Sequence, residues 1–234
     1  MLRKIRGVVL RQVPYKESTI IVNLFSRELG RKAFMIHLSR KNPGKRAAIF
    51  SPLAIIDLEA KISAKTDIHH AGEVSLVFYP AVFFSDPMRA SVGLFISEIL
   101  QRTIIDEEPD AELFCWMEET VYQLDNAPDP QNTHLRVLLQ LATHLGFGIT
   151  HPGAGKWYFD LREGRFSSSA PLNPDVFTPE ETSQIFFLMN TGHTEKISNP
   201  NRRILLEKLL LFYHYHIPSF GEVKSFKVFQ DVFA

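Results

Sequence analysis

The apolar residues of this chain change period near residue 85, and that change constrains the fold more than any other feature. Before it they alternate with polar residues or form short runs rich in β-branched side chains; after it they recur at helical spacing. A period of two places one face of a strand in a core, whereas a period near 3.6 places one stripe of a helix there. A stretch patterned for one does not sit stably as the other, so the chain must combine a strand-built part with a helix-built part.

Five strands are expected in the first part. Ile5–Leu10 is the first, and Thr19–Phe25, entered through the polar segment 14–18, is the second. After a turn at Glu28–Arg31, the third runs from Arg31 to Leu38. A basic segment, 39–46, follows with Pro43-Gly44 marking a loop. Ser51–Ile62 and Ile68–Tyr79 complete the set. Five short strands in about 80 residues suit a small closed barrel of the OB type. Helix signals then take over. Asp86-Pro87 opens a helix to about Ile105, Asp110 opens another to Leu124, and a third spans about Pro130 to Leu145 with Gly146 as its cap. Thr178-Pro179-Glu180-Glu181 and Asn199-Pro200 open two more, the last reaching about His216 before Pro218. Between them, Lys156–Leu161 and Gly164–Phe166 read as a hairpin around Arg162-Glu163. The fold class is therefore α+β: an N-terminal five-stranded OB-type β-barrel over 1–80, then an all-α helical domain over 81–234 with a small irregular hairpin insertion at about 148–175.

Composition narrows the chemistry. The single cysteine, Cys115, excludes an intrachain disulfide and a multi-cysteine zinc site, and its apolar neighbours suggest a buried thiol. Of 19 phenylalanines most should be core, because the ring buries a large area without needing a hydrogen-bond partner. No uninterrupted apolar run approaches 18 residues, and the basic start is not followed by a signal-like apolar stretch, so a cytoplasmic protein without membrane spans is expected. Phosphate-loop, zinc-protease and serine-hydrolase motifs are missing from the sequence. Adjacent His69 and His70 on a strand would point to opposite faces, and His214 and His216 on a helix would diverge, so neither pair suggests a metal site. The expectation is no enzyme, no cofactor and no metal.

Charge supplies the functional signal. Residues 1–80 carry 14 Lys and Arg against 6 Asp and Glu, a net of +8, while residues 81–234 carry 12 against 20, a net of −8. A solvated surface normally mixes both signs, so this imbalance points to a polyanion as the partner of the barrel. The candidate phosphate-binding residues are Arg3, Lys4, Arg6, Arg11, Arg31, Lys32, Arg40, Lys41, Lys45 and Arg46, the last four on a loop able to close over a groove. Tyr15, beside Lys16 in a polar turn, is the best candidate to stack on bases, with Phe34 a second; Phe25 reads as core. If roughly five phosphates are contacted, log affinity should fall against log salt with a slope of about 3 to 4.

Several segments together resemble the RecO family of bacterial DNA repair and recombination mediators. They are Arg6-Gly7-Val8-Val9-Leu10 with Tyr15-Lys16-Glu17-Ser18, Leu24-Phe25-Ser26 leading into Glu28-Leu29-Gly30-Arg31, Leu135–Leu139 with Leu145-Gly146-Phe147-Gly148, and Val223-Lys224-Ser225. They fall in the family's order over nearly the full length. The resemblance implies a non-enzymatic mediator that binds single-stranded DNA, and duplex as well, and anneals complementary strands. It also implies recruitment by the acidic, Phe-ending tail of single-stranded-DNA-binding protein (SSB), a RecR partner, help to RecA in displacing SSB, and a place beside the bacterial nucleoid. Arg136 matches the family's arginine on its helix and Lys224 the Lys-Ser near its C-terminus, so both are nominated for the SSB tail. Many members carry a four-cysteine zinc element where this chain has 151–173 without a cysteine; Trp157, Tyr158, Phe159 and Phe166 would hold the hairpin by aromatic packing instead. Two other classes stay open: an OB-type RNA-binding protein, and a metal-dependent nuclease using Asp106, Glu107, Glu108, Asp110 and Glu112.

Overall fold

The computed structural model describes residues 2–38, 49–63, 65–105, 108–127, 131–190 and 197–227. Five strands, β1 (Leu2–Lys16), β2 (Thr19–Ser26), β3 (Gly30–His37), β4 (Ile55–Lys61) and β5 (Ile68–Phe78), form a closed barrel in the order β1-β2-β3-β5-β4. Neighbours are antiparallel except β3 and β5, which run parallel. This is the five-stranded OB-type barrel expected from the spacing of the strands. Its interior is filled by one face of each strand, among them Ile5, Val9, Val22, Leu24, Phe34, Ile56 and Leu58. Closure leaves the barrel without an open sheet edge.

Strand β1 is longer than its apolar run because a bulge at Leu10 lets it continue around the barrel to Lys16. The bulge also reverses parity. Ile5 and Val9 face the interior before it, whereas Gln12 and Pro14 stand opposite the core residues Val22 and Ile20 after it. The turn into β2 is therefore only Glu17-Ser18, and Tyr15 belongs to the strand end. Ser26 closes the β2–β3 turn, its Oγ accepting from the Leu29 amide and donating to the Gly30 carbonyl, both at 3.2 Å. Gly30 takes a φ of 63°, which a side chain would disfavour.

Helices α1 (Ala81–Ser85), α2 (Pro87–Thr103) and α3 (Ala111–Leu124) follow. The two sequence-signalled caps are in place: Asp86 accepts from the Arg89 amide and Asp110 from the Leu113 amide, each at 2.9 Å. Cys115 on α3 is exposed, so the expected buried thiol is corrected; it lies on the outer side of the helix that buries Leu113, Phe114 and Met117. The chain divides into two compact units, Met1–Asn126 and Ala127–Ala234. The switch from strands to helices near residue 80 lies inside the first unit. The Ser97 hydroxyl on α2 donates to the Leu10 carbonyl at the bulge, and Arg31 of β3 donates to the Gln101 and Ile104 carbonyls at the α2 end.

The second unit holds α4 (Thr133–His144), the short strands β6 (Tyr158–Asp160), β7 (Arg165–Ser167) and β8 (Val176–Phe177), then α5 (Pro179–Asn190) and α6 (Asn199–His216). Helix α4 ends with Gly146 at φ 85°, where the Gly146 and Phe147 amides donate to the Thr143 and Ala142 carbonyls. Thr178 and Glu181 cap α5 reciprocally: the Thr178 amide donates to Glu181 Oε2 at 2.8 Å, and the Glu181 amide to Thr178 Oγ1 at 3.3 Å. The hairpin forms as its pattern suggested, with Phe159 opposite Phe166, and β8 adds a third strand on the other side of β6. Buried Phe159 lies 4.8 Å from Phe166, 5.5 Å from Phe212 and 6.2 Å from Phe177 between ring centroids, so aromatic packing holds this region.

Candidate nucleic-acid interface

Strand register sorts the charges of the barrel onto two different walls. On β4 the core residues Ile56, Leu58 and Ala60 face inward, so Asp57, Glu59 and Lys61 face outward. Asp57 and Glu59 stand directly opposite Arg6 and Lys4 of β1. The Arg6 guanidinium donates to both Asp57 carboxylate oxygens, at 2.8 and 2.9 Å, and lies 3.7 Å from Glu118 on α3. Lys4 Nζ is 3.8 Å from Glu59. The bond from Arg6 holds the Asp57 carboxyl below its ordinary value against the opposing effect of burial, and the same bond raises the guanidinium. Glu28 and Glu73 join these four side chains around a groove of about 460 Å³. Four carboxylates around this groove disfavour a phosphate chain in it; Arg6 is committed to Asp57 by its two-point bond, whereas Lys4 is largely exposed at the rim and only loosely paired with Glu59.

The other wall is formed by the second half of β1, by β2 and β3, and by the start of β5. Its outward residues come in two registered rows. Arg11, Asn23, Ala33 and Ile68 form one, and Val13, Ile21, Met35 and His70 form the other. Lys61 of β4 extends the second row as the partner of His70. His37, two residues beyond Met35, stands opposite Thr19, and its ring lies nearly parallel to that of His70 with centroids 6.4 Å apart. No carboxylate occupies an outward strand position in these described rows; Glu17 and Asp67 lie in the flanking loops. Tyr15 is half-exposed at the end of β1, with the Lys16 ammonium 5.4 Å from its ring centroid.

The remaining candidates fall in several places. Arg11 is exposed on the carboxylate-free wall, and Arg3 is exposed where β1 begins. Arg31 is not a phosphate ligand in this arrangement, because its guanidinium caps the carbonyl end of α2 at 2.7 and 3.0 Å. Lys32 is half-buried opposite the core residue Leu24, away from the outer wall. Phe34 is fully buried opposite Val22 and 5.9 Å from the buried His69, so its ring has no face for a base and the stacking assignment is corrected. Arg40, Lys41, Lys45 and Arg46 lie outside the described residues. The two histidines at 69 and 70 do point to opposite faces, but sequence reasoning passed over His37, His70 and Lys61 as binding residues. Alternation signals that each faces outward; their adjacency depends on β5 pairing with β3 on one side, which brings His37 to His70, and with β4 on the other, which sets Lys61 opposite His70.

In the second unit Arg136 is half-buried on α4 between buried Leu135 and Val137, and Lys224 is exposed beyond α6. His216 stacks on Phe147 with centroids 5.3 Å apart, and its Nε2 lies 3.1 Å from the Leu161 carbonyl, a packing role. Arg162 pairs with Asp175 at 2.7 Å, and the Tyr215 hydroxyl donates to the same carboxylate. Those bonds, Tyr215 first, lower the Asp175 carboxyl. Asp106 and Glu107 lie outside the described residues, Asp110 is occupied as the α3 cap, and among the described residues no group of three or more His, Cys, Asp and Glu side chains is placed to hold a metal ion. No helix of the described residues is long and apolar enough to cross a membrane.

Two family models match the chain in order. The model for the Recombination protein O N terminal matches residues 1–78 and that for the Recombination protein O C terminal matches residues 85–225. Among curated proteins the chain is similar to proteins named DNA repair protein RecO. One from Flavobacterium psychrophilum is 29% identical over 99% of both chains. One from Phocaeicola vulgatus is 28% identical, and one from Bacteroides fragilis 29%, each over the full length of both chains.

Proposed function

Because the chain belongs to the RecO family of DNA repair and recombination proteins, we propose that it is a mediator that binds single-stranded DNA on its barrel and works on strands coated by SSB. The observation that carries this reading is the outer wall of the second half of β1, β2, β3 and the start of β5, whose two registered rows offer half-buried apolar ground beside Arg11 and Lys61 and contain no carboxylate. A single strand exposes both apolar base faces and phosphates, and such a wall answers both. The groove around Asp57 and Glu59 answers neither.

In this reading neutralised phosphates no longer repel a second strand, so complementary strands anneal without ATP. Duplex is a second ligand through its phosphates. The second unit takes the SSB tail: Arg136 pairs with the terminal carboxylate, and Lys224 contributes a second cation. With RecR, the protein then assists RecA loading. The role is mediation by binding, with no bond made or broken.

Fluorescence anisotropy with the full chain tests it. Single-stranded DNA should bind with a log–log salt slope of about 3 to 4 and in preference to RNA of the same length. An SSB tail peptide should bind the unaltered chain, and lose affinity both with Arg136→Ala and when its last Phe is removed. Preference for RNA would favour the RNA-binding alternative. Indifference of the peptide to both changes would remove the recruitment step.

A further inference from the structure

We propose that His37 and His70 are the base-stacking residues of the barrel, an assignment that rests on the single-strand reading above and names its contact surface. The two imidazoles are exposed on adjacent parallel strands and lie within 20° of parallel. Thr19 Oγ1 is hydrogen-bonded to His37 Nδ1 at 3.1 Å, which fixes the His37 ring on the wall. Two nearly parallel flat rings, with the half-buried apolar side chains of Met35 and Ile21 beside them, form a surface on which a stack of bases can continue. Lys61, the register partner of His70, stands where the backbone of such a strand needs a cation.

Charge and geometry argue against the other uses of two histidines here. A metal site needs three or four converging ligands, and no third His, Cys, Asp or Glu joins them among the described residues. An acidic protein segment would meet Lys61, but it would have no use for two parallel aromatic rings bordered by an apolar floor. Stacking is also tolerant of base identity, which a strand-annealing mediator requires.

The test separates base contacts from phosphate contacts. Anisotropy is measured with the full chain on an oligo-dT and on an abasic strand of equal length. His37→Ala with His70→Ala should weaken oligo-dT binding by about tenfold or more. The same change should leave affinity for the abasic strand within about twofold and the salt slope unaltered. His37→Phe with His70→Phe, which keeps the rings and removes the nitrogens, should retain oligo-dT binding. Met35→Glu on this wall should abolish it, whereas Ser75→Glu on the acidic groove should leave it unchanged; the pair keeps the test valid if the alanine variant folds poorly. Equal loss on both strands, or no loss on oligo-dT, would overturn the stacking assignment while leaving single-strand binding in place. Failure of the unaltered chain to bind either strand would instead remove the function and the assignment together.

Discussion

Acidification should destabilise the second unit through one buried imidazole. His134 on α4 is fully buried, and its conjugate acid is pushed down to about 3, first by the loss of hydration on burial and second by the charge of Arg202. Arg202 is itself buried, donating to Asn132, Gln131, Asn199 and the Ile197 carbonyl. In the unfolded chain a histidine takes its proton near pH 6.5. Between that pH and about 3 the unfolded state therefore holds a proton that the folded state refuses. The sign follows from linkage: stability is complete above pH 6.5 and falls as pH drops, by about 1.4 kcal/mol per unit until the folded group titrates. At pH 5 the loss is about 2 kcal/mol, and near pH 3 about 4 kcal/mol, a large share of a small domain's stability.

Urea unfolding provides the assay. The chain has two tryptophans, Trp116 in the first unit and Trp157 in the second, so a Trp116→Phe background lets fluorescence report on the second unit. In that background His134→Leu keeps a similar volume without a titrating group. The stability of the leucine variant relative to the histidine form should rise by about 2 kcal/mol between pH 7.5 and pH 5. Carboxylates common to both proteins cancel in the difference. A difference that stays constant across that range would refute the reasoning, because it would mean that His134 accepts its proton without unfolding.

Other consequences follow from the same contacts. Arg6→Ala should leave oligonucleotide affinity within about twofold and lower stability by less than about 1 kcal/mol, because its charge is already paired at a half-exposed site. Arg11→Ala should instead weaken single-strand binding and reduce the salt slope by about 0.7 for one lost phosphate contact, read from anisotropy at several salt concentrations. Phe159→Ala, at the centre of the aromatic cluster, should cost about 3–5 kcal/mol, measured by Trp157-reported unfolding. Thr178→Ala breaks the reciprocal cap of α5 and should cost about 1 kcal/mol in the same assay.

Much of this fold is readable along the chain because its causes are local. An aspartate one residue before Pro87 caps α2, and Thr178 with Glu181 caps α5, since a cap needs only partners three residues apart. The switch of period at residue 85 separates strands from helices for the same reason. The candidate site was harder to read. Lys4, Arg6 and Arg11 look alike in sequence, yet the first two face Glu59 and Asp57 across 51 or more residues of chain while Arg11 does not. Phe34 and Met35 are neighbours, but one-residue parity sends the first into the core and the second to the wall.

Composition and spacing, then, establish a strand-built, basic half joined to a helical, acidic half, and the order of motifs places the chain in its family. The closing of β3 against β5 brings His37 to His70, and the pairing of β1 with β4 joins Arg6 to Asp57 and sets Lys4 opposite Glu59. Both depend on register between strands far apart in the chain. Since a shift of one residue in that register would exchange the two faces of a strand, which side chains share the carboxylate-free wall is a property of the folded barrel.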